Sequence, residues 1–169
     1  WPILRPLFYE FPHDEDCLLH EDQAMFGPWM MIAPITRPGH RQRMIYFPQG
    51  IWYDFWSSRT VEGPSYQVWP APLGQMPIFF REGAAVPLGP VRMSTAEPVQ
   101  SLTWHLFPGP KSSHGVSIDP EGRAFHVHLR ENEVTFDPPM DAQLVVRKGS
   151  TQTEMTVTTA TPSTKYYGP

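Results

Sequence analysis

Hydrophobic positions along the chain fall in short runs cut by proline and glycine. The densest run is Gln49-Gly50-Ile51-Trp52-Tyr53-Asp54-Phe55-Trp56, with four aromatic residues in five positions. Side chains of an extended chain alternate between faces, so Trp52 and Phe55 point to opposite sides, as do Tyr53 and Trp56. Such a strand is apolar on both faces and needs cover on both. The run before it, Arg41 to Pro48, also reads as a strand. Gln49-Gly50 reads as the turn of a hairpin between the two, because glycine accepts positive φ cheaply.

Upstream, Trp1 to Phe11 is almost continuously apolar and predicts a strand buried on both faces, with Pro2 and Pro6 at its ends or at a bulge. Pro12-His-Asp-Glu-Asp16 is an acidic loop. Glu21 to Phe26 reads as one short helix stopped by Gly27-Pro28, and Trp29 to Ile35 as another buried strand. This strand–helix–strand order is the only α/β-like passage. From Arg41 onward short strands alternate with turns, near 42–47, 51–56, 66–69, 77–80, 84–87, 101–107, 115–118, 123–130, 132–137, 141–147 and 153–159. Even spacing of this kind suggests antiparallel β-sandwiches. Phe125, Val127 and Leu129 alternate with Ala124, His126, His128 and Arg130, which marks a buried and a wet face; Glu131-Asn132 is the turn to the next strand. Leu88 to Pro98 lacks periodicity and is the expected boundary between two β-units. Ser163 to Pro169 is expected to be loose.

Composition narrows the class. The chain has 169 residues, 40% hydrophobic and 13% aromatic, enough to bury a core. Its 21 prolines break helices and favour short strands. A formal charge of −4, with no long Lys/Arg block, gives no footprint for nucleic acid. No run approaches the roughly 20 apolar residues of a membrane-spanning helix. The opening Trp1-Pro-Ile-Leu-Arg lacks the layout of a signal peptide and starts directly on a hydrophobic strand, so an internal piece of a longer polypeptide is expected. Cys17 is the only cysteine; it has no partner for an internal disulfide and reads as a structural thiol.

Four groups could carry chemistry. Glu10, Asp14, Glu15, Asp16, Glu21 and Asp22 could supply the two carboxylates of glycoside hydrolysis, about 5–5.5 Å apart for retention. A solvated loop followed by an acidic helix start explains the same residues. His13, Asp14, Asp16, His20 and Asp22 could ligate a metal, though no HExxH or EF-hand spacing is present. His126 and His128 share a strand face and could give two zinc ligands; with no visible source for the rest, they read as exposed strand histidines. Trp52, Tyr53, Trp56, Trp69 and Trp104 could form a sugar-stacking platform, but core packing is the commoner task of such residues. No GxSxG elbow and no Gly-rich phosphate loop occurs.

Several blocks taken together carry a resemblance. Arg5-Pro-Leu-Phe-Tyr-Glu-Phe-Pro12, Glu21-Asp-Gln-Ala-Met-Phe-Gly-Pro28 and Met31-Ile-Ala-Pro-Ile35 look like the end of the catalytic domain of family 31 glycoside hydrolases, the α-glucosidases, α-xylosidases and relatives. Tyr46-Phe-Pro48, Gly50-Ile-Trp-Tyr-Asp-Phe-Trp56, Ala71-Pro-Leu73 and Met76 to Pro87 resemble the β-sandwich that follows the barrel in that family. The match is collinear over roughly residues 1–90.

The resemblance implies a mainly β chain: the last strand and helix of a (β/α)8 barrel over residues 1–40, a proximal β-sandwich over 41–98 and a distal β-domain over 99–169. Leu102 to Gly109 would open the distal part. Ile118-Asp-Pro-Glu-Gly122 stands where the family often has an Asp-Asp-Gly turn. The implied activity is that of a retaining hydrolase of α-linked oligosaccharides. Its nucleophile and acid/base are aspartates on earlier barrel strands, around the fourth and sixth, so no position here is assigned as catalytic. The chain alone is expected to be inactive and structural. It would need no cofactor, and the rest of the same enzyme would be its partner. The alternative is a stand-alone carbohydrate-binding β-sandwich module.

Overall fold

The aromatic run begins inside one long strand, where Trp52 and Tyr53 lie, and ends with Phe55 and Trp56 in the hairpin turn that follows it. In the computed structural model the described residues are 2–94, 96–97, 102–109, 113–118, 123–130, 133–139, 141–148, 151–157 and 163–165. The chain divides into two compact units, Trp1–Glu82 and Gly83–Pro169. The division precedes the 88–98 stretch, because Ala84–Leu88 pairs only with later strands.

In the first unit the strands are β1 (Leu4–Pro6), β2 (Ala24–Phe26), β3 (Met30–Ile32), β4 (Gln42–Asp54), β5 (Thr60–Pro70) and β6 (Ile78–Arg81). They form one sheet in the order β1-β2-β3-β6-β4-β5, and every pairing is antiparallel. A one-turn helix α1 (Leu7–Glu10) and a 3-10 turn (Glu15–Leu19) follow β1. Leu7, Phe11 and Cys17 from this segment pack with Met25, Met31, Ile45, Phe47, Trp52, Val61, Trp69 and Phe79 in one core. Trp52 and Tyr53 are both buried, at 0% and 4% exposure, so both faces of the strand are covered as the pattern required.

Three expectations fail in this unit. Gln49-Gly50 is a β-bulge: Phe47 pairs with Ser65 and Gly50 with Gly63, so Pro48-Gln49 oppose Pro64 alone. Pro48 has no N–H to give to the ladder, and its carbonyl instead accepts Trp52 Nε1 at 2.8 Å. The hairpin turns at 55–59 instead. There Asp54 Oδ2 accepts from Ser57 N at 2.8 Å and Ser57 Oγ at 2.6 Å. Second, Glu21 to Phe26 is not a helix. Gln23 is buried, and its side-chain amide pairs with the Tyr46 backbone in both directions, Nε2 to O at 2.8 Å and N to Oε1 at 2.9 Å. This tertiary pairing holds the segment extended and puts Met25 in the core. Third, the strand expected over 1–11 is only Leu4–Pro6. Ile3 and Leu4 are 68% and 56% exposed, and helical turn α1 starts directly after Pro6. The α/β-like passage is therefore an antiparallel edge with one short helical turn.

The second unit holds β7 (Ala84–Leu88), β8 (Thr103–Phe107), β9 (Ser113–Ile118), β10 (Ala124–Arg130), β11 (Glu133–Asp137), β12 (Ala142–Lys148), β13 (Thr151–Val157) and β14 (Ser163–Lys165). Their order is β13-β12-β8-β7-β9-β10-β11-β14. Two pairings, β12/β8 and β7/β9, are parallel, so the sheet is mixed where an antiparallel sandwich was expected. Trp104 on β8 meets Phe136 on β11 with ring centroids 5.9 Å apart. Four strand steps would separate them by roughly 19 Å in a flat sheet. The sheet therefore curls over its own core, which includes Trp104, Leu106, Val127, Leu129, Val134, Phe136, Leu144 and Val146. The β10–β11 hairpin forms as expected, from His126↔Asp137 to Arg130↔Glu133; its turn, Glu131-Asn132, lies outside the described residues. Ser163–Lys165, expected to be loose, pairs with β11; 166–169 lie outside the described residues. Among the described residues no helix is long and apolar enough to cross a membrane.

Candidate functional site

The acidic loop and the tyrosines facing it form a polar cluster on the first unit. Tyr46 on β4 and Tyr66 on β5 are direct cross-strand partners, with ring centroids 4.8 Å apart. Tyr46 Oη donates to Asp14, at 2.7 Å to Oδ2 and 2.9 Å to Oδ1. Tyr66 Oη donates to Asp16 Oδ1 at 3.0 Å. The His20 ring stacks on Tyr46 at 5.3 Å, and its Nε2 lies 3.2 Å from Tyr66 Oη. Burial, the hydrogen bond to Asp14 and the charge of Asp14 hold the Tyr46 phenol above its ordinary range, so it stays a neutral donor. Cys17, below the loop, is pushed up to about 12 by burial and by Asp14 and Asp16. A thiol in that state is a poor nucleophile.

Glu10, Asp14, Asp16 and Tyr46 line a cleft of about 490 Å³. Of the carboxylates that line it, Glu10, Asp14 and Asp16 each have a partner. Glu10 Oε2 accepts from buried Arg5 at 2.7 Å, with Arg81 3.8 Å from Oε1. Asp22 pairs with Arg43 at 2.7 Å. Glu15, Glu21 and His13 are exposed. The arrangement braces a loop against a sheet: two neutral phenols fix two aspartates.

The proposed sugar platform is not assembled. Trp52 and Trp69 belong to the first core and Trp104 to the second, at 0%, 5% and 0% exposure. Among those tryptophans only Trp56 is exposed, and its Nε1 is committed to Met76 O at 2.7 Å.

On β10, His126 and His128 share the outer face as expected, and the register adds His114 of β9 directly opposite His128. Ring centroids lie 5.6 Å apart for His114–His126, 4.8 Å for His114–His128 and 6.4 Å for His126–His128. Burial and the two neighbouring imidazoles lower the pKa of His114. Tyr46, Tyr66 and His114 were invisible as site residues in the sequence, because each joins its cluster only through strand register.

The family model described as the glycosyl hydrolase family 31 C-terminal domain matches residues 1–86. The chain belongs to this family. Among relatives, it is 32% identical to α-glucosidase 2 of Bacillus thermoamyloliquefaciens over 92% of this chain and 22% of that protein. It is 37% identical to an α-glucosidase of Saccharolobus solfataricus over 52% of this chain and 12% of that one. Among solved structures, a Flavobacterium johnsoniae family 31 dextranase superposes with a TM-score of 0.76 and 22% identity, over 86% of this chain and 21% of that one. The Xanthomonas citri α-xylosidase gives 0.75 and 22%, over 98% and 22%. These likenesses support the fold. The chain thus spans between 12% and 22% of the two relatives' length.

Proposed function

We propose that this chain is the C-terminal portion of a retaining α-glycoside hydrolase acting on α-linked oligosaccharides, and that its own task is structural. The observation that carries this is an apolar surface on the entry segment of the first unit. Ile3, Leu4, Leu18 and Leu19 are 68%, 56%, 63% and 73% exposed, with Phe8 and Tyr9 at 43% and 44%. Such a concentration on one short segment is unusual for a surface left to water. In this reading residues 1–40 complete the end of the barrel, the remainder of the same enzyme covers these side chains, and the proximal and distal β-domains, expected over 41–98 and 99–169, meet instead between Glu82 and Gly83. No catalytic residue is assigned here: the two carboxylates of the double displacement belong to the preceding part of the polypeptide.

The test is hydrolysis of 4-nitrophenyl α-D-glucopyranoside and α-linked oligosaccharides by the chain alone and by the polypeptide that carries it. Activity is expected only with the upstream part, with α-glucose released first. In that longer protein, Leu18→Glu with Leu19→Glu should lower the yield of folded enzyme. Turnover by the chain alone would overturn the reading, as would full activity of the upstream part without it.

A further inference from the structure

The outer face of β9, β10 and β11 collects metal-ligating side chains that the glycosidase reading does not use. His128 is paired directly with His114, and His126 with Asp137. Residues two apart on a strand share a face, so these four side chains stand on one surface. Val127, Leu129, Val134 and Phe136 point the other way, into the core, and fix the backbone beneath them.

We propose that His114, His126 and His128, with Asp137 as fourth ligand, bind a single divalent transition-metal ion of the zinc class. Three imidazoles and a carboxylate are a donor set that zinc accepts in tetrahedral geometry. Bonds of 2.0–2.1 Å in a tetrahedron place ligand nitrogens about 3.3 Å apart and ring centres about 5 Å apart. His114 Nε2 and His126 Nδ1 are 3.4 Å apart, and the three ring separations run from 4.8 to 6.4 Å. Two of the three ring separations are thus near those of a site, and the His126–His128 separation is wider. The rings themselves are close to parallel, at 10°, 27° and 37°, and among the described residues no three such side chains converge on one point as they stand. Side-chain rotation supplies the convergence, and the exposed or half-buried positions of all four residues leave room for it. Arg130 on the same face has Glu133 directly opposite, so a carboxylate lies beside the nearest cation on β10.

The experiment is titration of the metal-free protein with zinc chloride, followed by calorimetry and thermal melting, and with cobalt(II), followed by visible absorption. One equivalent should bind, and cobalt should give the intense bands of a tetrahedral nitrogen-rich site. At free zinc about 100 times Kd the melting temperature of the second unit should rise by on the order of 10 °C. His114→Gln and His128→Gln should each weaken binding at least roughly 100-fold, more than loss of an outer partner. Asp137→Asn should weaken it less. His13→Gln and His40→Gln should change nothing. Zinc binding no tighter in the native protein than in the triple His→Gln variant would overturn the site, as would loss of binding in the His13 or His40 variant. Circular dichroism of each variant separates lost binding from lost fold.

Discussion

If the acidic loop is braced and not reactive, the Tyr46–Asp14 bond should carry measurable stability. Tyr46 is 2% exposed, and its hydroxyl reaches both carboxylate oxygens, at 2.7 and 2.9 Å. A hydrogen bond to a charged group contributes about 1.5–3 kcal/mol. Asp14 is only half-buried, which places the expected value at the lower end, about 1.5–2 kcal/mol. Tyr46→Phe removes the donor and keeps the ring that stacks on His20. Asp14→Ala removes the acceptor. Each single change should cost about that much, and the double variant should cost little more than either.

Urea unfolding at pH 7, followed by tryptophan fluorescence, measures all four corners of this cycle. Trp52 and Trp69 sit in the core that the loop covers, so they report on it directly. The cycle cancels the other contacts of Asp14, such as its influence on Cys17, because they persist in the Tyr46→Phe background. A coupling below about 0.5 kcal/mol would refute the reasoning, since it would put the pair among ordinary surface contacts. The phenol would then have water available in place of the carboxylate.

Two further outcomes follow from the same structure. Gly63→Ala should destabilise the first unit by about 3 kcal/mol or more, since its new Cβ would collide with the backbone carbonyl oxygens of Pro48 and Phe47. Gly74→Ala, at φ +88° with open space around it, should cost only about 1–2 kcal/mol by the same urea assay; equal losses would refute the close approach. His105 is held neutral, its pKa lowered to about 4 by burial and by Arg147. Its unfolded pKa is near 6.5, so its stabilising contribution is complete above that pH and is lost as pH falls towards 4. The melting temperature of the wild type should therefore fall more steeply between pH 7 and 4.5 than that of His105→Gln; parallel profiles would overturn the assignment.

How far the chain could be read depended on where each residue's partner lay. In the second unit, strands expected near 84–87, 123–130, 132–137 and 141–147 appear at Ala84–Leu88, Ala124–Arg130, Glu133–Asp137 and Ala142–Lys148. Alternation was enough for β10 and β11, which have one wet face and one buried face; β7 and β12, buried at successive positions such as Ala84-Ala85 and Leu144-Val145, were marked by their apolar runs. The entry to the first unit defeated the same rules. Gln23 looked like a helix residue, yet its amide completes the backbone pairing of Tyr46, which lies 23 positions away. Gln49-Gly50 looked like a turn, yet the strand runs on through a bulge, in which Pro48-Gln49 oppose Pro64 and Gly50 pairs with Gly63. Local propensity gives way wherever a distant backbone group decides where a hydrogen bond goes. The candidate clusters obey the same rule. His126 and His128 were visible as a pair from their spacing of two, but His114 joins them only once β9 is laid antiparallel beside β10. Asp14 and Asp16 were visible as acids, but their role depends on Tyr46 and Tyr66, which a sheet register brings together from twenty residues apart. Chemistry carried by one strand is thus legible in sequence, and chemistry shared between strands requires the register first.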